Sequence, residues 1–125
     1  MRIAGLIQRL QHPVLAWQIE KAKNAHRKEH PECECCGIQP SFWGLWRKNN
    51  DVHHETPVHV DPKKACDPGN LITLCRPCHW FVGHLRDWSD WNLCVRWTIS
   101  AIRAAYKEYT RSGKRYVAEE MTRVL

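Results

Sequence analysis

Ile3, Leu6, Ile7, Leu10 and Val14 recur at intervals of three and four residues, the period of one helix face. Pro13 interrupts that run and suits the first position of a second helix, where a missing N–H has no intrahelical partner to lose. Trp17, Ala22 and Ala25 continue the pattern among Lys and Glu until His30-Pro31 stops it, so residues 2–29 read as a helical N-terminal arm. Two short strands are predicted at Asp51-Val52-His53-His54 and at Asn70-Leu71-Ile72-Thr73-Leu74. The loop between them carries the turn formers Asp61-Pro62 and Asp67-Pro68-Gly69. A helix is expected from His79 onward. A long one follows from Trp91, capped by Ser89 or Asp90, with Trp91, Val95, Ile99, Ile102, Tyr106 and Tyr109 on one face and Ser112-Gly113 at its end. A last short helix over 116–124 would turn Val117, Met121 and Leu125 inward.

With 125 residues the chain suits a single α+β domain: a helical arm (1–31), a core (32–90) and C-terminal helices (91–125). Apolar residues make up 43% and charged residues 26%, the balance of a globular protein and not of a disordered basic tail. No apolar run approaches the ~20 residues of a membrane span. Gln8 and Arg9 break the N-terminal apolar run, which makes a poor signal peptide, so an intracellular location off the membrane is expected. The net charge of +6 is uneven: residues 1–30 and 96–125 each carry +4, and 31–95 carries −2. Basic flanks around a Cys- and His-rich centre suit a polyanion held across a reactive site, and they equally suit plain solvated helix faces.

Seven cysteines, an odd number, fit a disulfide framework badly. Four form two C-x-x-C pairs, Cys33/Cys36 and Cys75/Cys78, the spacing at which two tight turns close a tetrahedral Zn²⁺. Gly37, directly after the first pair, stands where such a turn needs positive φ. A redox role lacks the alternating strands and helices that usually accompany it. Cys35, Cys66 and Cys94 are read as non-ligands, with Cys94 packing on the core face of the last long helix. Four thiolates fill a zinc coordination sphere, so this ion would serve folding.

Between and after these pairs lie His53, His54, Asn70, His79 and His84. Adjacent strand side chains point to opposite faces, so His53 and His54 cannot do the same work: one can meet a metal while the other faces substrate. His59 is expected in solvent, as are His12, His26 and His30 on the arm.

The stretch DVHHETPV…PGNLITLCRPCHW, preceded by CECCG, resembles the HNH endonucleases of small four-cysteine type, over about residues 33–84. The resemblance implies a ββα-metal core and a metal-dependent DNA endonuclease. His54 would be the general base, His53 and His79 would hold one divalent cation, and Asn70 would pin the base's loop or ligate the metal, pinning being the favoured role. Two protein ligands would favour Mg²⁺ or Mn²⁺. His84 lies five residues after His79, about 140° away on a regular helix, and joins the metal only if the helix ends or bulges near Gly83. Arg47, Lys48, Lys63, Lys64, Arg76 and Arg86 flank the site as DNA-phosphate contacts of sequence-independent type. Of seven Trp, most are expected to fill a core of large rings around the zinc, with Trp43 or Trp46 as candidates for stacking on bases. The expected partner is double-stranded DNA, read weakly for sequence. Likeness to phage-encoded nucleases suggests a phage terminase or other protein partner. The competing function is a non-catalytic zinc module that binds nucleic acid.

Overall fold

The computed structural model describes residues 13–40 and 50–111. The architecture is α+β: helix α1 (Pro13–Glu29), strands β1 (Asp51–His54) and β2 (Leu71–Leu74), a single helical turn α2 (Arg76–Cys78) running directly into a π-helical stretch (His79–Gly83), and helix α3 (Val95–Arg111). The predicted short helix over 116–124 lies outside the described residues, as do Trp43, Trp46, Arg47 and Lys48. No described helix is long and apolar enough to cross a membrane.

Helix α1 begins at Pro13, as its missing N–H allows. Leu15, Ala16, Ile19, Ala22, Lys23 and His26 form its less exposed stripe, and the helix packs on both strands. His26 is buried, contrary to its expected place in solvent, because its Nε2 meets Glu34 Oε1 at 3.3 Å. The same Glu34 carboxylate accepts from the Thr73 amide, and the Arg103 guanidinium donates to the Glu34 carbonyl. One residue of the first cysteine turn thereby fastens α1, β2 and α3 together.

The strands pair antiparallel with His53 opposite Ile72 and His54 opposite Leu71. Every residue of β2 is buried. The connecting loop is built from two 3-10 turns, Pro62–Lys64 and Pro68–Asn70, each opened by an Asp whose carboxylate accepts a backbone N–H two residues on. Asn70 closes the second turn and does not begin the strand.

The core is aliphatic and sulfur-rich: Ile72, Leu74, Val82, Val95 and Ile99 with Cys33, Cys35, Cys75 and Cys78. Among the described residues it is not the core of large rings that composition suggested. Trp17, Trp80, Trp88 and Trp97 all stand exposed. Helix α3 starts later than expected, at Val95, and neither Ser89 nor Asp90 caps it. Asn92 organises its start: its side-chain oxygen accepts from the Cys94 amide and its Nδ2 donates to Val82 O and Thr98 Oγ1. Val95 and Ile99 face the core and Ile102 packs partly against it, but Tyr106 is exposed. Cys94 is exposed too, one residue before the helix and off its buried stripe.

Candidate metal centres

Each C-x-x-C pair sits on a turn made by its own backbone. In the first, Gly37 N donates to Cys33 O at 2.8 Å with Gly37 at φ 76°, and Cys36 N points at Cys33 Sγ at 3.5 Å. In the second, Cys75 precedes α2 and His79 N bonds Cys75 O at 2.8 Å. The turns bring Cys33, Cys36, Cys75 and Cys78 together with all ligand atoms within 4.8 Å of one another. Cys36 Sγ and Cys75 Sγ, 39 positions apart in sequence, lie 3.7 Å apart. A tetrahedron with 2.3 Å metal–sulfur bonds has an edge of about 3.8 Å. The cluster fits a metal ion such as zinc.

The electrostatics point the same way. Hydrogen bonds from Cys36, Cys75 and Cys78 pull the Cys33 thiol down from its ordinary pKa. Hydrogen bonding to Cys33 pushes Cys75 and Cys78 up. Four sulfurs this close cannot all carry negative charge unless a cation stands among them. Cys35 is buried in the core beside the cluster and is not one of its four members.

The second cluster is His53, His79 and His84, again with ligand atoms within 4.8 Å. Strand alternation puts Asp51 and His53 on one face, toward the helical turn. The Asp51 carboxylate can only accept, so His79 donates to it from Nδ1 at 2.9 Å and presents Nε2 to the cluster. His84 likewise donates Nδ1–H to the Asp90 carbonyl at 2.6 Å. His53 is 3% exposed and its Nε2 is buried without a hydrogen-bond partner. Burial, reinforced by the neighbouring His79, lowers the His53 pKa to about 3, and burial also lowers that of His79 despite Asp51. Burial thus disfavours charge on His53 and His79, and the uncharged imidazole is the form that ligates a transition-metal cation.

His84 reaches the cluster because the helix there is not regular. His84 N bonds His79 O at 3.1 Å, an i→i+5 bond that opens a wider turn and brings the fifth residue back over the first. Gly83 lies inside that turn. A Cβ on it would meet Cε1 and Nδ1 of His53 at 3.1 Å and Cδ2 of His79 at 3.3 Å. Gly83→Ala is therefore expected to displace the His53 ring and weaken metal binding at the histidine cluster by about 10-fold, the lower end of what supporting residues contribute. Calorimetric titration of the protein with Mn²⁺ or Ni²⁺ checks this.

His54 points to the other face. Its Nε2 donates to the Ala65 carbonyl at 2.9 Å, which leaves Nδ1 as the lone pair, and burial lowers its pKa. Asn70 holds the loop behind it: Oδ1 accepts from Thr56 N at 2.7 Å and Nδ2 donates to Thr56 O and Lys64 O. With all these bonds to backbone, Asn70 pins the loop. Arg96 from α3 braces the same loop, from Nε to Glu55 and from Nη2 to Gly69 O.

Lys63 and Lys64 lie exposed on the first 3-10 turn, two residues and one residue before Ala65. Arg76 donates to Asp51 at 3.1 Å beside His79, and Arg86 stands exposed on the turn after His84. Sequence reasoning missed Asp51, although its position two before His53 already placed it on the same strand face. Glu34 and Arg96 carry no sequence signal, because their partners lie 39 and 41 positions away. Comparison of the chain with protein-family models, with curated proteins and with solved structures returns no match.

Proposed function

We propose that this chain is a metal-dependent DNA endonuclease of the HNH type, with a structural Zn²⁺ in the four-cysteine cluster and a second divalent cation at His53, His79 and His84. One observation carries the reading: a β-hairpin sets a three-histidine cluster on one face of β1 and, one residue later on the opposite face, a histidine whose tautomer is fixed by a backbone carbonyl.

His54 is the general base. Its Nε2–H is committed to Ala65, so Nδ1 takes the proton from the attacking water. Asn70 and Arg96 keep that carbonyl and its loop in place. The cation supplies Lewis-acid stabilisation of charge on the scissile phosphate and the leaving oxygen. Arg76 and Lys64 are placed to neutralise neighbouring phosphates. Three imidazoles shift the expected metal preference toward Ni²⁺ or Zn²⁺ and away from Mg²⁺, which prefers oxygen ligands, with Mn²⁺ between them.

The test is conversion of supercoiled plasmid to nicked circles by purified protein. Activity is expected to vanish with EDTA and to return when Mn²⁺ or Ni²⁺ exceeds the chelator. Conversion that is indifferent to chelation, or no conversion with any divalent cation, overturns the reading. The pH profile gives a second check. Burial disfavours the imidazolium form of His54, so the base stays competent as pH falls through 6.5, its ordinary value, and is protonated only below it. The acid limb of the cleavage rate is expected below pH 6.5. A limb above that value contradicts the assignment.

A further inference from the structure

Two exposed tryptophans stand on the segment that carries His79 and His84, Trp88 directly against the cluster and Trp80 next to His79 in the chain, and each is coupled to an arginine. Trp88 is 46% exposed, yet its ring touches both His79 and His84, at centroid distances of 5.2 and 4.9 Å. The Arg76 guanidinium lies 4.4 Å from the Trp88 centroid while also bonding Asp51, the carboxylate that orients His79. Trp80, the residue after His79, is 37% exposed and has Arg86 5.9 Å from its ring. Leu85 and Arg86, which connect the two, take φ of 52° and 69°, a left-handed conformation that non-glycine residues adopt only when their surroundings enforce it. The enforcing bonds are Arg86 N to Trp80 O and Asp87 N to His84 O. The strained turn therefore ties back to Trp80 and sets Trp88 over Arg76 beside the cluster, with both rings left exposed instead of buried in the core.

Indole faces and guanidinium charges at this spacing match the two parts of a nucleotide, the base and the phosphate. Such platforms bind strands whose bases are free to leave the duplex stack, because every base has a π-face. Resting on the endonuclease reading above, we infer that the Trp88–Arg76 and Trp80–Arg86 couples stack unpaired bases next to the scissile phosphate. The preferred substrate is then single-stranded or locally melted nucleic acid, not the plain duplex that the sequence suggested.

The experiment measures binding of a fluorescein-labelled single-stranded oligonucleotide and of its blunt duplex by anisotropy at fixed salt, in a His54→Ala background so that neither is cut. Tighter binding of the single strand is expected. Adding Trp88→Leu weakens that binding about 5- to 100-fold while changing duplex binding less than 2-fold, and Trp88→Phe retains most of it. Trp80→Leu gives the same selective loss. Metal content and far-UV circular dichroism confirm that each variant is folded. Equal losses on both substrates, or no loss on either, overturn the inference and leave the endonuclease reading standing. Failure to bind either oligonucleotide overturns both.

Discussion

Cys75→Ser is expected to leave the protein without its native fold at 25 °C, with the metal of the four-cysteine cluster lost and the near-UV signal of the tryptophans collapsed. Cys75 ties the end of β2 to the first cysteine turn, 39 positions back in the chain, through sulfur, and two hydrogen bonds between Glu34 and Thr73, one between backbones and one through the carboxylate, remain beside it. Structural zinc sites of this kind contribute on the order of 10 kcal/mol or more, comparable with the whole stability of a domain this size. Three remaining thiols would also surround an incomplete coordination sphere. Metal content by mass spectrometry and the urea midpoint, read together, check this. A variant whose unfolding free energy, from midpoint and slope, stays within about 1 kcal/mol of wild type would show that the aliphatic core holds the fold by itself.

His53→Ala is expected to act differently. It should remove one metal equivalent of two and abolish cleavage while leaving the four-cysteine metal and the fold in place. His53 is buried with an unpartnered Nε2, so the substitution deletes a polar group that nothing else in the protein satisfies. In metal-free protein the cavity left behind opens a cost, but the lost desolvation of an orphan nitrogen offsets part of it, so the change in stability there stays within about 2 kcal/mol. The metal-loaded protein loses in addition what the bound cation contributes. His79→Ala should lose the same metal equivalent and also leave Asp51 with only Arg76 as a partner. Retention of both equivalents in either variant contradicts the assignment of the histidine cluster as a metal centre.

Much of this arrangement is legible in the residues themselves. Turn-forming Asp-Pro pairs mark the loop between the strands, so β1 falls where expected and β2 starts one residue later, and alternation along β1 already puts His53 and His54 on opposite faces. The two C-x-x-C pairs announce their cluster by spacing alone. What spacing could not deliver is His84. On a regular helix it faces away from His79, and it joins the cluster because a π-turn forms where Gly83 leaves room for the His53 ring and Asn92 N holds the Gly83 carbonyl. That turn is a product of contacts between distant segments. The tryptophans mislead for a related reason. Their size suggests core, but the cysteine turns and the fully buried β2 already fill the interior, and Trp80 and Trp88 remain outside, Trp88 against His79 and His84. His26 is the opposite case, a polar residue drawn inside by the carboxylate of Glu34.

The most direct measurement is nicking of supercoiled plasmid by wild type and His54→Ala, purified in parallel and shown to carry the same two metal equivalents. His54 belongs to neither cluster, so both are expected to keep their metal, and the substitution removes the proposed base together with its bond to the Ala65 carbonyl. The predicted result is a fall in rate of about 10²–10⁴-fold with metal content unchanged. Equal rates from the two proteins would contradict the account, since the chemistry would then not pass through His54.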